Sequence, residues 1–253
     1  MEFQNPASRL HAILRTAAGH AKKQSGALHW AWVFGIPTGD VHTINYEVAQ
    51  RLVWIGSELD VLVAYLRDVR NYPERGYVDI RNGILNATSP QLIGHQADNI
   101  RGFLTPQLLA ALEQISFNLP EEEATIDAEQ LEVFIGLLEK LTEAVESAPV
   151  GSLLNGLLNR HIRLLRRALD AYPIWGVRAF SDSLRDAAGD LYVIADSAAP
   201  KGESDGDRSL RHQVTTIWAA VYRVVESAEK MRKTLMWIGY GAQGATWLRD
   251  HSS

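Results

Sequence analysis

Apolar residues recur at steps of three and four along almost the whole chain, which predicts helices throughout; no segment alternates as a half-buried strand would. Asn5-Pro6 reads as an N-cap followed by proline in the first turn. From there Leu10, Ile13, Leu14, Ala17, Ala21, Leu28 and Trp32 mark one face, and a single first helix is expected to run until FGIPTGD, Phe34 to Asp40, breaks it.

Asp40 or Thr43 caps the next helix. Its apolar positions Val48, Leu52, Ile55, Leu59, Leu62, Leu66 and Val69 follow alternating steps of four and three, a heptad seam. About 30 helical residues extend roughly 45 Å. Val53, Trp54, Val61, Val63 and Tyr65 lie off the seam. A helix apolar on more than one side is expected at the centre of the fold or in a subunit interface. Leu52, Ile55, Leu59, Leu62 and Leu66 are therefore candidate contacts for a protein partner or a second copy of the chain.

Residues 77–118 read as shorter helices, with Ser89-Pro90 and Thr105-Pro106 as further starts. Asn118-Leu-Pro120 and Glu121 to Glu123 suggest a boundary. Beyond it come a helix through Leu131, Phe134, Leu138, Leu141 and Val145, another from Leu153 to Tyr172 stopped by Pro173, and another through Val177, Phe180, Leu184, Leu191 and Ile194. SAAPKGESDGDRS, 197–209, reads as a mobile loop. The last helix carries Val214, Ile217, Val221, Val225, Ala228, Leu235 and Ile238, before a glycine-rich tail over 239–253. The expected fold is all-α: an elongated bundle of about eight or nine helices without a sheet. It is read either as one domain or as helical halves 1–119 and 120–253.

The 253 residues are 46% hydrophobic with a net charge of −5, which suits a folded core and argues against electrostatic nucleic-acid binding by the whole molecule. The absence of cysteine removes disulfides, thiolate metal sites and cysteine nucleophiles. The opening MEFQNPASRL lacks the apolar core of a signal peptide. The most apolar run, LVWIGSELDVLVAYL, carries Glu58 and Asp60 in its middle, so no transmembrane segment is expected. A cytoplasmic location follows as the expectation.

Candidate chemistry is sparse. His11, His20 and His29 are spaced by nine. On one continuous helix His20 would face away from the other two, and His11 and His29 would lie roughly 27 Å apart. No HExxH and no Glu-x-x-His pair occurs, so neither metal nor cofactor is expected. Glu121 to Ser147 holds nine acids and one lysine, whereas RHIRLLRR brings Arg160, Arg163, Arg166 and Arg167 together. That basic face suits an acidic ligand. Folding about Ala148-Pro-Val-Gly151 would instead set Glu139 level with Arg160 and Glu132 level with Arg167, neutralising it internally. Among seven tryptophans, Trp237 and Trp247 cluster with Tyr240 near the C-terminus, an aromatic group suited to docking on a partner. Trp30, Trp32 and Trp54 are candidate walls of a small-molecule pocket.

RTAAGH, Arg15 to His20, resembles the motif of the HEPN group of helical RNA-cleaving domains, an arginine followed four to six residues later by a histidine. The resemblance covers these six residues. It implies metal-independent RNA cleavage by a dimer, with Arg15 and His20 catalytic. Thr16 stands where the family usually has a more polar residue, and the motif lies on the first helix rather than a late one. Five helical residues also turn about 140°, which separates the two side chains. The sequence as a whole points to a non-catalytic helical interaction or assembly module. The ribonuclease and a helical small-molecule sensor are the alternatives.

Overall fold

The computed structural model describes residues 5–20, 23–68, 72–119, 126, 128–147, 152–196 and 208–226. Among them the chain is all-α: α1 (Pro6–Gly19), α2 (Gly26–Val33), α3 (Val41–Asp68), α4 (Glu74–Ala87), a 3-10 turn (Pro90–Gly94), α5 (Ala97–Phe103), α6 (Pro106–Asn118), α7 (Ala128–Ser147), α8 (Ser152–Trp175) and α9 (Arg178–Asp196). A further helix over 208–226 is α10. The chain divides into two compact units, Met1–Glu121 and Glu122–Ser253. No helix among the described residues is long and apolar enough to cross a membrane.

In the first unit the caps act where side-chain oxygens meet orphan N–H groups. Asn5 accepts from the Ser8 amide at 3.0 Å and its own amide donates to Ser8 Oγ at 3.1 Å, a reciprocal cap for α1. Asp40, rather than Thr43, caps α3 by accepting from the Thr43 amide at 2.9 Å. Thr105 caps α6.

α1 packs on α3 and α6, and α2 packs on α3 and the 3-10 turn. The heptad seam becomes the packing stripe of this unit. Leu52, Ile55, Leu59, Leu62 and Leu66 are exposed by no more than 3%, within the single chain. Burial of such side chains stabilises by about 1.5–3 kcal/mol each, so they form core and offer no surface to a partner in this fold. Trp54, off the seam, is buried as well, whereas Val53 is exposed.

The first helix is not continuous. It stops at Gly19, and α2 starts afresh after Ser25. One isolated antiparallel bridge, Ser25 to Gln96, fastens this break to the start of α5. The Gly26 amide donates to the His95 carbonyl at 2.7 Å and the Ala97 amide to the Gln24 carbonyl at 3.0 Å. Glycine is required at Gly26, since a Cβ there would run into the Leu92 carbonyl.

In the second unit α7, α8, α9 and α10 share a core that includes Phe134, Leu141, Leu158, Leu165, Phe180, Val214 and Val221. Pro173 does not stop α8, which continues to Trp175. Pro173 has no N–H to donate back to the Leu169 carbonyl, which weakens the last turn without ending the helix. The stop is Gly176, at φ 60°, whose amide donates to the Tyr172 carbonyl at 2.8 Å.

Candidate functional site

The break between α1 and α2 turns the chain back on itself and reverses the expected histidine geometry. His20 and His29, which a continuous helix would hold on opposite faces, bring their ring centroids to 5.4 Å. His20 is buried. The Gln24 side-chain amide donates to His20 Nε2 at 3.1 Å.

Trp32 covers the corner. Its ring lies parallel to His20, at 3.7 Å between centroids and 12° between planes, while 51% of Trp32 remains exposed. Leu28, one turn earlier on α2, is also exposed. Trp30 points the other way, fully buried and stacked on Phe34. The three tryptophans proposed as pocket walls thus have different surroundings: Trp30 and Trp54 are core, and Trp32 is surface.

His29 is fully buried. Neither ring nitrogen closes a hydrogen bond of good geometry, although the Ala17 carbonyl faces the ring. Burial, then the neighbouring His20 and Arg101, push its pKa down to about 4, against the pull of Ala17. The ring is therefore neutral at pH 7. Deeper in this unit the buried Glu58 accepts from Arg9 Nε at 2.9 Å and Nη2 at 2.5 Å. The pair ties α1 to α3.

Arg15 and His20 have different surroundings. Arg15 is exposed and acts on His11, whose pKa is lowered first by burial, with Glu113 opposing and Arg15 adding to the effect. His20 belongs to the corner with Trp32.

In the second unit the basic helix is only partly neutralised, and by a different partner from the one expected. Arg160 pairs with Asp190 of α9 at 3.2 Å rather than with Glu139 of α7. Arg166 donates to the Thr142 hydroxyl of α7 at 3.3 Å. Arg163 and Arg167 are exposed and make no hydrogen bond or ion pair among the described residues. Behind Arg160 lies His161, fully buried, held between Asp190 and Trp218 of α10. No cluster of three or more metal-ligating side chains occurs among the described residues.

Trp237, Tyr240 and Trp247, with the tail 239–253, lie outside the described residues, as do 197–207 of the expected loop; Arg208 and Ser209 already belong to α10.

The signal for the α1–α2 corner was present in Ser25-Gly26, a capping serine before a glycine. Ser25 accepts from the Leu28 amide at 3.4 Å. The unbroken apolar spacing on either side masked it. Compared with protein-family models, with the sequences of curated proteins and with solved structures, the chain matches none.

Proposed function

We propose that the chain is a non-catalytic helical interaction module whose first unit presents Trp32 to a protein partner. The observation that carries this reading is the parallel stack of Trp32 on the buried His20, with half of the indole left in solvent. A large aromatic side chain usually loses rotamer freedom when a partner traps it. Here the stack has already removed that freedom, which is the character of an interface anchor. Leu28 lies beside it on α2, and Tyr46 and Val53, exposed by 69% and 65%, recur one heptad apart on α3. The self-association expected through the α3 seam moves in this reading to the surface around Trp32.

A photoreactive residue placed at Leu28 of the full chain, in the cell that makes it, tests the reading. A protein adduct is expected that disappears in W32A, and that does not form from the same residue placed at the exposed Arg15. Sedimentation of the purified chain shows whether the captured partner is a second copy. Absence of an adduct from position 28, or an adduct unaffected by W32A, overturns the proposal.

A further inference from the structure

Along one side of the α8–α9 hairpin the helices leave a groove of about 310 Å³. It exists because alanine stands on both sides of its floor: Ala171 and Ala179 are buried but too short to fill the space. Trp175 lines it, with the Arg178 guanidinium 5.2 Å from that ring's centroid. Ser183 contributes no free hydroxyl, since its Oγ donates to the Leu164 carbonyl at 3.2 Å.

The charged rim is unusual in what it leaves open. Arg185 and Asp182 are joined at 3.3 Å. Arg167 and Asp186 line the same groove with opposite charges, yet do not close on each other. Asp186 lends only its main-chain carbonyl, to Arg160 at 3.2 Å, and its carboxylate is unengaged among the described residues. Two opposite charges across a partly apolar floor match a ligand that carries both signs on a short body.

We propose that this groove binds a small zwitterion, a free α-amino acid with an apolar or aromatic side chain. Its carboxylate meets the Arg167 guanidinium, whose planar fork suits two parallel hydrogen bonds. Its ammonium meets Asp186. Its side chain lies on Ala171 and Ala179 against Trp175. The rim is balanced, Arg167 and Arg185 against Asp182 and Asp186, so a simple anion meets two carboxylates and a simple cation two guanidinium groups. The volume stands at the lower end of the roughly 300–1,000 Å³ of ligand sites, which limits the occupant to about the size of one amino acid. This site lies within the second unit and shares no residue with the Trp32 surface.

Titration calorimetry on the full chain separates the outcomes. The probes are L-phenylalanine, L-leucine, 3-phenylpropionate, which lacks the ammonium, and phenethylamine, which lacks the carboxylate. L-phenylalanine or L-leucine is expected to bind saturably, with phenylalanine at least about tenfold tighter than either truncated analogue. R167Q and D186N, at exposed positions, are expected to keep the parent's circular dichroism and melting and to weaken binding about tenfold each. The proposal is overturned if neither amino acid binds saturably, if 3-phenylpropionate or phenethylamine binds as well as phenylalanine, or if both variants bind like the parent.

Discussion

The indole N–H of Trp218 donates to His161 Nδ1 at 3.1 Å, and both side chains are buried. The bond places the proton of neutral His161 on Nε2, which faces the Asp190 carboxylate at 4.0 Å. The hydrogen bond ties α8 to α10, while the Asp190 carboxylate of α9 stands beyond hydrogen-bond reach of Nε2. Trp218→Phe removes the donor and strands a buried acceptor, which costs about 1–3 kcal/mol. Urea denaturation should show a lower midpoint with an unchanged slope. A midpoint equal to the parent's would show that the bond contributes nothing to holding α10.

Acid should weaken the protein through its buried histidines. His29 has a folded pKa of about 4, below its ordinary 6.5, chiefly through burial. His161 is also lowered, by burial first, with Asp190 opposing and Arg160 adding to it. Between the two values of His29 the unfolded chain binds a proton that the folded one refuses. Stability is therefore intact above pH 6.5, falls as pH drops toward about 4, and then levels off for this group. The loss from His29 amounts to about 3 kcal/mol. In His29→Phe the stability of the first unit, followed by denaturation at several pH values, should lose most of this slope; an unaltered slope refutes the assignment.

The Arg9–Glu58 pair should be costly to break and cheap to replace. Glu58→Gln removes the carboxylate charge that meets the buried Arg9 guanidinium and is expected to cost about 3–5 kcal/mol. The double change to Arg9→Met and Glu58→Leu removes both charges and should recover most of that loss. Denaturation of the three proteins side by side decides it, and a double variant as weak as Glu58→Gln would contradict the account.

Two glycines should respond in opposite directions to the same methyl group. At Gly26 the added Cβ meets the Leu92 carbonyl and the Ile100 side chain, so Gly26→Ala should lose about 1–3 kcal/mol. At Gly56, within α3, a Cβ meets nothing within 4 Å, so Gly56→Ala should gain about 0.5–1 kcal/mol. Thermal melting of both variants provides the comparison.

Local signals carried much of the architecture. The spacing from Val48 to Leu66 located α3 and its buried stripe, and Asn5, Asp40 and Thr105 announced their helices because a cap depends on residues only three apart. The α1–α2 corner was illegible for the opposite reason. It is fixed by Gln96, about seventy residues downstream, and nothing near Ser25 in the sequence names that partner. The basic helix misled in the same way. Its charge suggested α7, the preceding acidic segment, whereas Arg160 settled on Asp190 of the next helix. Of the candidate site, the types of residue were visible, but the meeting of His20, His29 and Trp32 was not.

Asn5, which caps α1, also donates through its side-chain amide to the Ser116 carbonyl of α6, at 3.0 Å and across 111 positions of sequence. The first unit thus has its entrance and its exit at one doorway. A body whose chain enters and leaves at the same spot can be grafted into a host loop, or have its old ends joined and new ones opened elsewhere, without rerouting its interior.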